Sequence, residues 1–243
     1  MLSPTTERTD HNGRTDAIPV AIGDCSAGHQ DWWDECRQRM HRDLVATALG
    51  ICFFNWVFFT LYFLVLHHPA GAVTAMPLTP LDRAIALTPQ ALPLYVSLWV
   101  YVGLGPGLMK TRHEALVYAA WIGALCGFGL VVFYFFPTAV PLRVLPIDTV
   151  FQRGFALLHG IDAAGNACPS LHVATAVFTA AWVHRLLTEM RAPGWVRAGN
   201  ATWMLLIVWS TLAVKQHVVL DALAGALLGL AFAWVSMRRP IRA

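Results

Sequence analysis

The sequence predicts an all-α protein, a six-transmembrane-helix bundle with both termini on the cytoplasmic side. Hydrophobic residues make up 57% of the 243 residues and charged residues only 13%, a balance far from that of a soluble domain. Long apolar stretches recur along the chain, and the basic residues gather in alternate loops. Composition, stretch length and charge distribution together indicate an integral membrane protein.

The apolar stretches have the length of membrane spans. A helix needs roughly twenty mostly apolar residues to cross about 30 Å of hydrocarbon. Six stretches approach that length: Leu44 to Leu66, Leu92 to Met109, Ala115 to Phe136, Ser170 to Leu187, Ala198 to Val214 and His217 to Val235. Only a few residues separate the last two, so we expect an antiparallel helical hairpin with a tight turn at Lys215 and Gln216.

The chain divides into a polar N-terminal tail (1–43), a membrane domain (44–237) and a basic C-terminus (238–243). The tail lacks the apolar core of a secretory signal, and we expect part of it to be disordered. Its segment Asp31 to Asp43 could form an interfacial helix with Trp32 and Trp33 at headgroup level, but a solvated anchor is the interpretation that we favour.

The Lys/Arg bias predicts the orientation in the membrane. Six spans put both termini on one side, and that side holds thirteen of the seventeen basic residues: Arg8, Arg14, Arg37, Arg39, Arg42, Lys110, Arg112, Arg185, Arg191, Arg197, Arg238, Arg239 and Arg242. The other side holds only Arg83, Arg143, Arg153 and Lys215. We therefore expect a multi-pass protein of a bacterial cytoplasmic membrane with cytoplasmic termini. No basic stripe suggests nucleic acid as a partner.

Two polar motifs stand at the outer mouths of apolar stretches: CPSLH, which ends at His172, and STLAVKQHVVLD, which ends at Asp221. An aspartate inside a span costs roughly 2.5–3.5 kcal/mol on insertion scales, and an ionisable residue held there is a functional hypothesis by default. His217 and Asp221 are spaced i, i+4, on one face of a helix. The carboxylate there can fix the imidazole tautomer and leave the other ring nitrogen basic. A satisfied buried pair, an ion path and a zinc site that includes His172 stay open as alternatives.

The surroundings of the motifs are suited to an anion. Ser170 precedes His172 at a predicted helix start, where free backbone N–H groups favour phosphate and the serine hydroxyl adds a hydrogen bond. Arg143 lies in the preceding external loop and Lys215 in the hairpin turn. Both cations can converge on a phosphoryl group and balance its charge.

PSLH followed by S-T-x5-H-x3-D resembles the second and third signature motifs of the type 2 phosphatidic acid phosphatase superfamily, whose third motif runs Ser-Arg-x5-His-x3-Asp. The chain is most similar to the branch that contains fungal inositol phosphorylceramide synthase. This similarity extends from about residue 80 to 230 and is carried by Pro80 to Val102, Phe133 to Arg143, CPSLHVA and Lys215 to Gly229. Two positions depart from the superfamily: Phe136 replaces the lysine of the first motif, and Thr211 the arginine of the third.

The resemblance implies roles for the motif residues. His217 would attack phosphorus with Asp221 as its orienting partner. His172 would protonate the leaving alcohol and then act as base toward water or an acceptor hydroxyl. Ser170 and Arg143 match positions that hold the phosphoryl oxygens. The resemblance also implies six spans and an active site at the extracytoplasmic face.

We therefore expect a membrane lipid phosphatase or phosphotransferase that acts through a phosphohistidine and needs no cofactor or metal. Its expected partners are a lipid phosphate or phospholipid substrate and the surrounding membrane. A headgroup transferase similar to inositol phosphorylceramide synthase is the alternative. A transporter or proton-coupled channel is a remote one, because few polar residues continue toward the cytoplasmic side. Gly225 and Gly229 suit close helix packing, and a homo-oligomer stays open.

Overall fold

The computed structural model describes residues 27–141 and 166–238. In chain order, the regular elements of these residues are α1 (Ala27–Arg42), α2 (Leu44–His67), β1 (Thr74–Ala75), α3 (Pro80–Ala84), α4 (Leu92–Val96), α5 (Leu98–Gly107), α6 (Arg112–Phe135), β2 (Thr138–Ala139), α7 (Leu171–Glu189), α8 (Gly194–Ala213) and α9 (Val219–Arg238). A single 3-10 turn, Pro89–Ala91, precedes α4. The fold is therefore dominated by helices, as predicted.

Each of the six apolar stretches is helical, but the second is not one continuous helix. It divides into α4 and α5 at Ser97, whose hydroxyl donates to the carbonyl of Leu94 at 2.6 Å. Among the described helices, α2, α6 and α9 are long and apolar enough to cross a membrane. Length and composition thus support three of the six predicted spans, and the other three stay predictions.

Helix α7 lies at the centre of the bundle. Twelve of its nineteen residues are buried, and it packs against α5, α6, α8 and α9. Since protein surrounds it, α7 can carry polar side chains that are paired internally. Thr179 shares a 2.8 Å hydrogen bond with the hydroxyl of Tyr118, and the indole of Trp182 donates to the hydroxyl of Ser236 at 3.0 Å. Such pairs satisfy polar atoms that water cannot reach.

Two glycines bring α9 against α7. A Cβ at Gly225 would lie 2.3 Å from the carbonyl oxygen of Ser170, and one at Gly229 would lie 2.4 Å from that of Ala174. No larger residue fits these positions without a shift of the backbone. The packing role predicted for both glycines is confirmed, and the contact is within this chain.

The helix expected over Asp31 to Asp43 is present as the second part of α1, but it docks on the bundle. Trp32 is buried against Trp195 with ring centroids 6.5 Å apart, whereas Trp33 is 57% exposed. Arg39 donates to the carbonyl of Leu108 at 3.2 Å, at the end of α5. A cation at the C-terminal end of a helix satisfies orphan carbonyls and the helix dipole. Trp32 therefore packs inside the protein, and the headgroup level of the two tryptophans stays a prediction.

The helix connections gather at two ends of the bundle. We call the end with the turns around Thr79, Ser170 and Lys215 the site end, and the end where α5 leads into α6 the opposite end. Most described basic residues lie toward the opposite end: Arg37, Arg39, Arg42, Lys110, Arg112, Arg185, Arg191, Arg197 and Arg238. Arg83 and Lys215 lie at the site end. The predicted charge asymmetry therefore exists in the fold, and the side that faces the cytoplasm stays a prediction.

A small platform at the site end anchors the start of α7. β1 and β2 pair in parallel, with Thr74 opposite Thr138. Thr138 also bridges Asn166, its carbonyl accepts the amide of Ala167 at 3.0 Å, and its hydroxyl accepts the amide of Cys168 at 2.9 Å. The chain therefore enters α7 from a fixed position.

Candidate active site

His217 and Asp221 meet in the turn between α8 and α9. Nδ1 of His217 lies 3.2 Å from Oδ2 of Asp221, which is fully buried. The other carboxylate oxygen accepts the backbone amide of Val218 at 3.0 Å. The carboxylate thus holds the Nδ1 side of the imidazole and fixes the orientation of the ring.

The predicted helical spacing of this pair needs a correction. Helix α9 begins at Val219, so His217 belongs to the turn and only Asp221 lies in the first helical turn. One oxygen of the Asp221 carboxylate accepts the amide of Val218 at the start of α9, and the other holds His217 in the turn before it. Lys215 completes the turn in the left-handed region, with φ 61°.

His172 enters the site from the start of α7. Ser170 is the N-cap of this helix, and its hydroxyl accepts the amide of Val173 at 3.2 Å. The imidazole of His172 stacks on Tyr95, with centroids 4.1 Å apart and planes 13° apart, and the edge of Trp99 completes its surroundings. The ring centroids of His172 and His217 are 6.1 Å apart. A tetrahedral phosphoryl group between the two rings can reach both of them.

Ser170 connects the two motifs directly. It is fully buried, and its backbone amide donates to the carbonyl of Asp221 at 3.0 Å. The starts of α7 and α9 are thereby held together, which fixes the relative position of the two histidines. The phosphate-binding role of Ser170 stays a prediction.

Of the two predicted phosphate-binding cations, Lys215 lies among the described residues and Arg143 does not. The ammonium of Lys215 donates to the carbonyl of Asp82 at 3.0 Å and to that of Ile85, so it ties the hairpin turn to α3. Arg143 lies outside the described residues. The phosphate-binding roles of both residues stay predictions.

Cys168, the first residue of CPSLH, has a thiol whose reactivity is lowered by its surroundings. Burial raises the pKa of its thiol, and the negative charge of Asp221 raises that pKa further. The thiolate is the reactive form of cysteine, so a raised pKa lowers the reactivity of this side chain.

Asp82 is a site residue that the sequence analysis missed. Its Oδ1 accepts the amide of Val219 at 2.8 Å, while Oδ2 accepts from the amide and hydroxyl of Thr79 at 2.7 and 2.6 Å. Burial works to raise the pKa of this carboxyl, but the hydrogen bonds from Thr79 and Val219 and the charge of Lys215 hold it below its ordinary value. The spacing of Thr79 and Asp82 is that of a helix capping box, a local signal that was visible in the sequence.

The family model of the PAP2 superfamily matches residues 141–242. The matched region includes CPSLH with His172, and the hairpin turn with His217 and Asp221. The match supports phosphatase-type phosphoesterase chemistry in general. No curated protein and no solved structure matches the chain. Asp82, Tyr95 and Trp99 lie outside the matched region, so the first half of the chain contributes site residues that the match does not cover.

The two departures from the superfamily motifs have different surroundings. Phe136 follows the end of α6 and is 70% exposed. Thr211 is fully buried, its hydroxyl donates to the carbonyl of Val208 at 2.8 Å, and its own carbonyl accepts the amides of Gln216 and His217. Thr211 thus stabilises the hairpin turn and supplies no positive charge.

A mainly apolar groove begins at the two histidines. It has a volume of about 550 Å³ and is lined by α2, α5 and α6 as well as by the start of α7. Its far end is at Asp43 and Arg112, which form an ion pair at 2.6 Å. Sequence periodicity did not predict this groove, because it lies where helices that are distant in sequence fail to pack closely.

Proposed function

We propose that this protein is an integral membrane phosphatase or phosphotransferase that acts on lipid phosphate esters through a phosphohistidine on His217. The observation that carries the proposal is the constellation itself: Asp221 holds one nitrogen of His217, and His172 lies 6.1 Å away from that ring. The PAP2 superfamily match over this region and the apolar groove beside it support the same conclusion.

The first chemical step uses His217 as nucleophile. Its Nε2 attacks phosphorus, a nitrogen–phosphorus bond forms, and the bond from phosphorus to the leaving alcohol oxygen breaks. His172 donates a proton to that oxygen, so the alcohol leaves neutral. The buried carboxylate of Asp221 balances the charge that develops on the imidazole of His217.

The second step regenerates the enzyme. His172, now neutral, accepts a proton from water or from an acceptor hydroxyl, whose oxygen attacks the phosphohistidine. The nitrogen–phosphorus bond breaks and His217 returns to its starting state. Hydrolysis and headgroup transfer therefore share the first step and differ only in the hydroxyl that reaches His172.

Charge balance at phosphorus is assigned to the start of α7, Ser170, Arg143 and Lys215. Backbone N–H groups at a helix start favour an anion, and a basic side chain adds to their effect. In this proposal the site faces away from the cytoplasm, which is supported by the concentration of basic residues at the opposite end of the bundle.

The test uses purified protein in detergent with a panel of labelled lipid phosphates and phosphoinositol lipids, each with and without ceramide or diacylglycerol. We expect headgroup release by the wild type, loss of at least a hundredfold in His217→Ala, and label trapped on the wild type but not on the variant. His184→Ala, an exposed histidine on α7, is the matched control. A requirement for the acceptor identifies a transferase. Activity unchanged in His217→Ala contradicts the proposal.

A further inference from the structure

One face of α2 lines the groove from end to end. Its lining residues occur as pairs one helical turn apart, beginning at Ala46 and Thr47 and ending at Tyr62. Tyr62 lies sixteen positions after Ala46, and a rise of 1.5 Å per position corresponds to about 24 Å along the helix. The groove therefore extends over most of the length of α2 and does not stop beside the histidines.

The lining changes along this length. Near the histidines the α2 lining is aromatic, with Phe58, Phe59 and Tyr62. Toward the opposite end its side chains become smaller, as at Ala46 and Gly50. Small residues leave space that a hydrocarbon chain can fill. The lining is mainly apolar, with Asn55 and Thr47 as its polar residues on α2, and it ends at the ion pair of Asp43 and Arg112, whose charges no hydrocarbon would cover without a desolvation cost.

The geometry points to this groove as the binding site for the hydrocarbon tail of the substrate, with the Asp43–Arg112 pair as the limit on tail length. The inference rests on the proposed function, since it places a phosphate at the histidines, where the groove begins. A molecule with a phosphate at that end and an apolar body along the groove is a single-headed amphiphile.

The length of the groove gives the size of the tail. An extended chain advances roughly 1.2 Å per bond, as the 3.3–3.6 Å of a three-bond peptide unit shows, so about 24 Å holds about twenty carbons. Half of a bilayer's hydrocarbon is about 15 Å thick, so a tail that fills the groove is held extended past the midplane. The groove is therefore expected to favour long tails, and to do so by shape, because the lipid around it is equally apolar.

Gly50 offers a way to shorten the groove without disturbing the fold. A Cβ at this position has no atom within 4 Å, and the residue lies twelve positions before Tyr62, or about 18 Å along the helix. Gly50→Leu should therefore fill the part of the groove toward the opposite end of the bundle and leave the histidines unchanged. Gly127→Leu on α6 is the matched control, since its Cβ also meets nothing within 4 Å and it does not line the groove.

The experiment compares hydrolysis of alkyl phosphates with eight-, twelve- and twenty-carbon chains at equal mole fraction in mixed micelles. For Gly50→Leu we expect a loss of about tenfold in kcat/KM on the twenty-carbon substrate, as overpacking in a filled site predicts. The eight-carbon substrate should change less than twofold, and Gly127→Leu should keep the wild-type profile. An unchanged profile in Gly50→Leu, or an equal loss at every chain length, would overturn the inference.

Binding of non-hydrolysable alkylphosphonates of the same chain lengths, followed by the shift in unfolding temperature, separates this inference from the proposed function. A chain-length preference that Gly50→Leu shortens supports the tail site even if no substrate is turned over. Turnover combined with binding that is independent of chain length in the wild type removes the tail site and leaves the proposed chemistry standing.

Discussion

Gly225→Ala tests whether the contact between α9 and α7 sets the geometry of the candidate site. The new Cβ would lie 2.3 Å from the carbonyl oxygen of Ser170 and 3.1 Å from its carbonyl carbon. Both are backbone atoms, so no side-chain rotation relieves the clash. Ordinary contact begins near 3.4 Å, and the starts of the two helices must therefore separate by about 1.1 Å.

That displacement acts on the reacting groups. The 3.0 Å hydrogen bond from the amide of Ser170 to the carbonyl of Asp221 would stretch beyond hydrogen-bonding distance. His172 follows Ser170 on α7, and His217 is held by Asp221 on α9, so their separation changes by a similar amount. A misplacement of about 1 Å can cost about a hundredfold in rate. Overpacking should lower the free energy of unfolding by about 1–3 kcal/mol, partly offset by the helix preference of alanine.

The assay measures kcat on a lipid phosphate that the wild type turns over, together with the unfolding temperature in detergent. Gly199→Ala on α8 is the control, because a Cβ there meets no atom within 4 Å and gains the same helix preference. We expect the Gly225→Ala protein to remain folded with kcat reduced about a hundredfold. A folded variant within twofold of the wild-type kcat would refute the argument that this contact positions the histidines.

Two further substitutions test the carboxylates of the site. Asp221→Asn should lower kcat by about 10²–10⁴, because the amide cannot stabilise the imidazolium or enforce the same tautomer. If the variant binds substrate with wild-type affinity, the loss of kcat is not caused by unfolding. Asp82→Asn should lower the free energy of unfolding by about 1–2 kcal/mol through its weaker bonds to Thr79 and Val219, with exposed Asp34→Asn as control. Because the pKa of Asp82 is lowered in the folded protein, this stabilisation is present above about pH 4 and disappears as the pH falls through that pKa. Melting curves of wild type and Asp82→Asn should therefore converge in acid, and a constant difference down to pH 3 would contradict the assignment.

The helical part of the fold could be predicted because its signal is local. An apolar stretch of about twenty residues favours a helix wherever it lies in the chain, so all six stretches are helical. The break at Ser97 and the docking of α1 were not predictable in this way. Both depend on contacts with other helices, such as the bond from the indole of Trp203 to Ser97 and that from Arg39 to the carbonyl of Leu108.

The same division applies to the site. His172, His217 and Asp221 could be selected because ionisable residues at the mouths of apolar segments are costly and their spacing is informative. Neither the 4.1 Å stacking of Tyr95 on His172 nor the attachment of Lys215 to α3 has a local signal. The attachment of Lys215 depends on α3, whose carbonyls at Asp82 and Ile85 accept its ammonium more than 100 positions away in sequence.

Two carboxylates cap the start of α9, one from within the helix and one from a distant part of the chain. Asp221 accepts the amide of Val218 from within the helix, while Asp82 accepts that of Val219 across 137 positions of sequence. A helix start held from both sides cannot unwind without losing a charge-assisted hydrogen bond, worth about 1.5–3 kcal/mol. The turn that carries His217 is therefore supported by α3. Since α3 lies outside residues 141–242, the matched region holds the two candidate histidines and Asp221 but depends on the first half of the chain for their position.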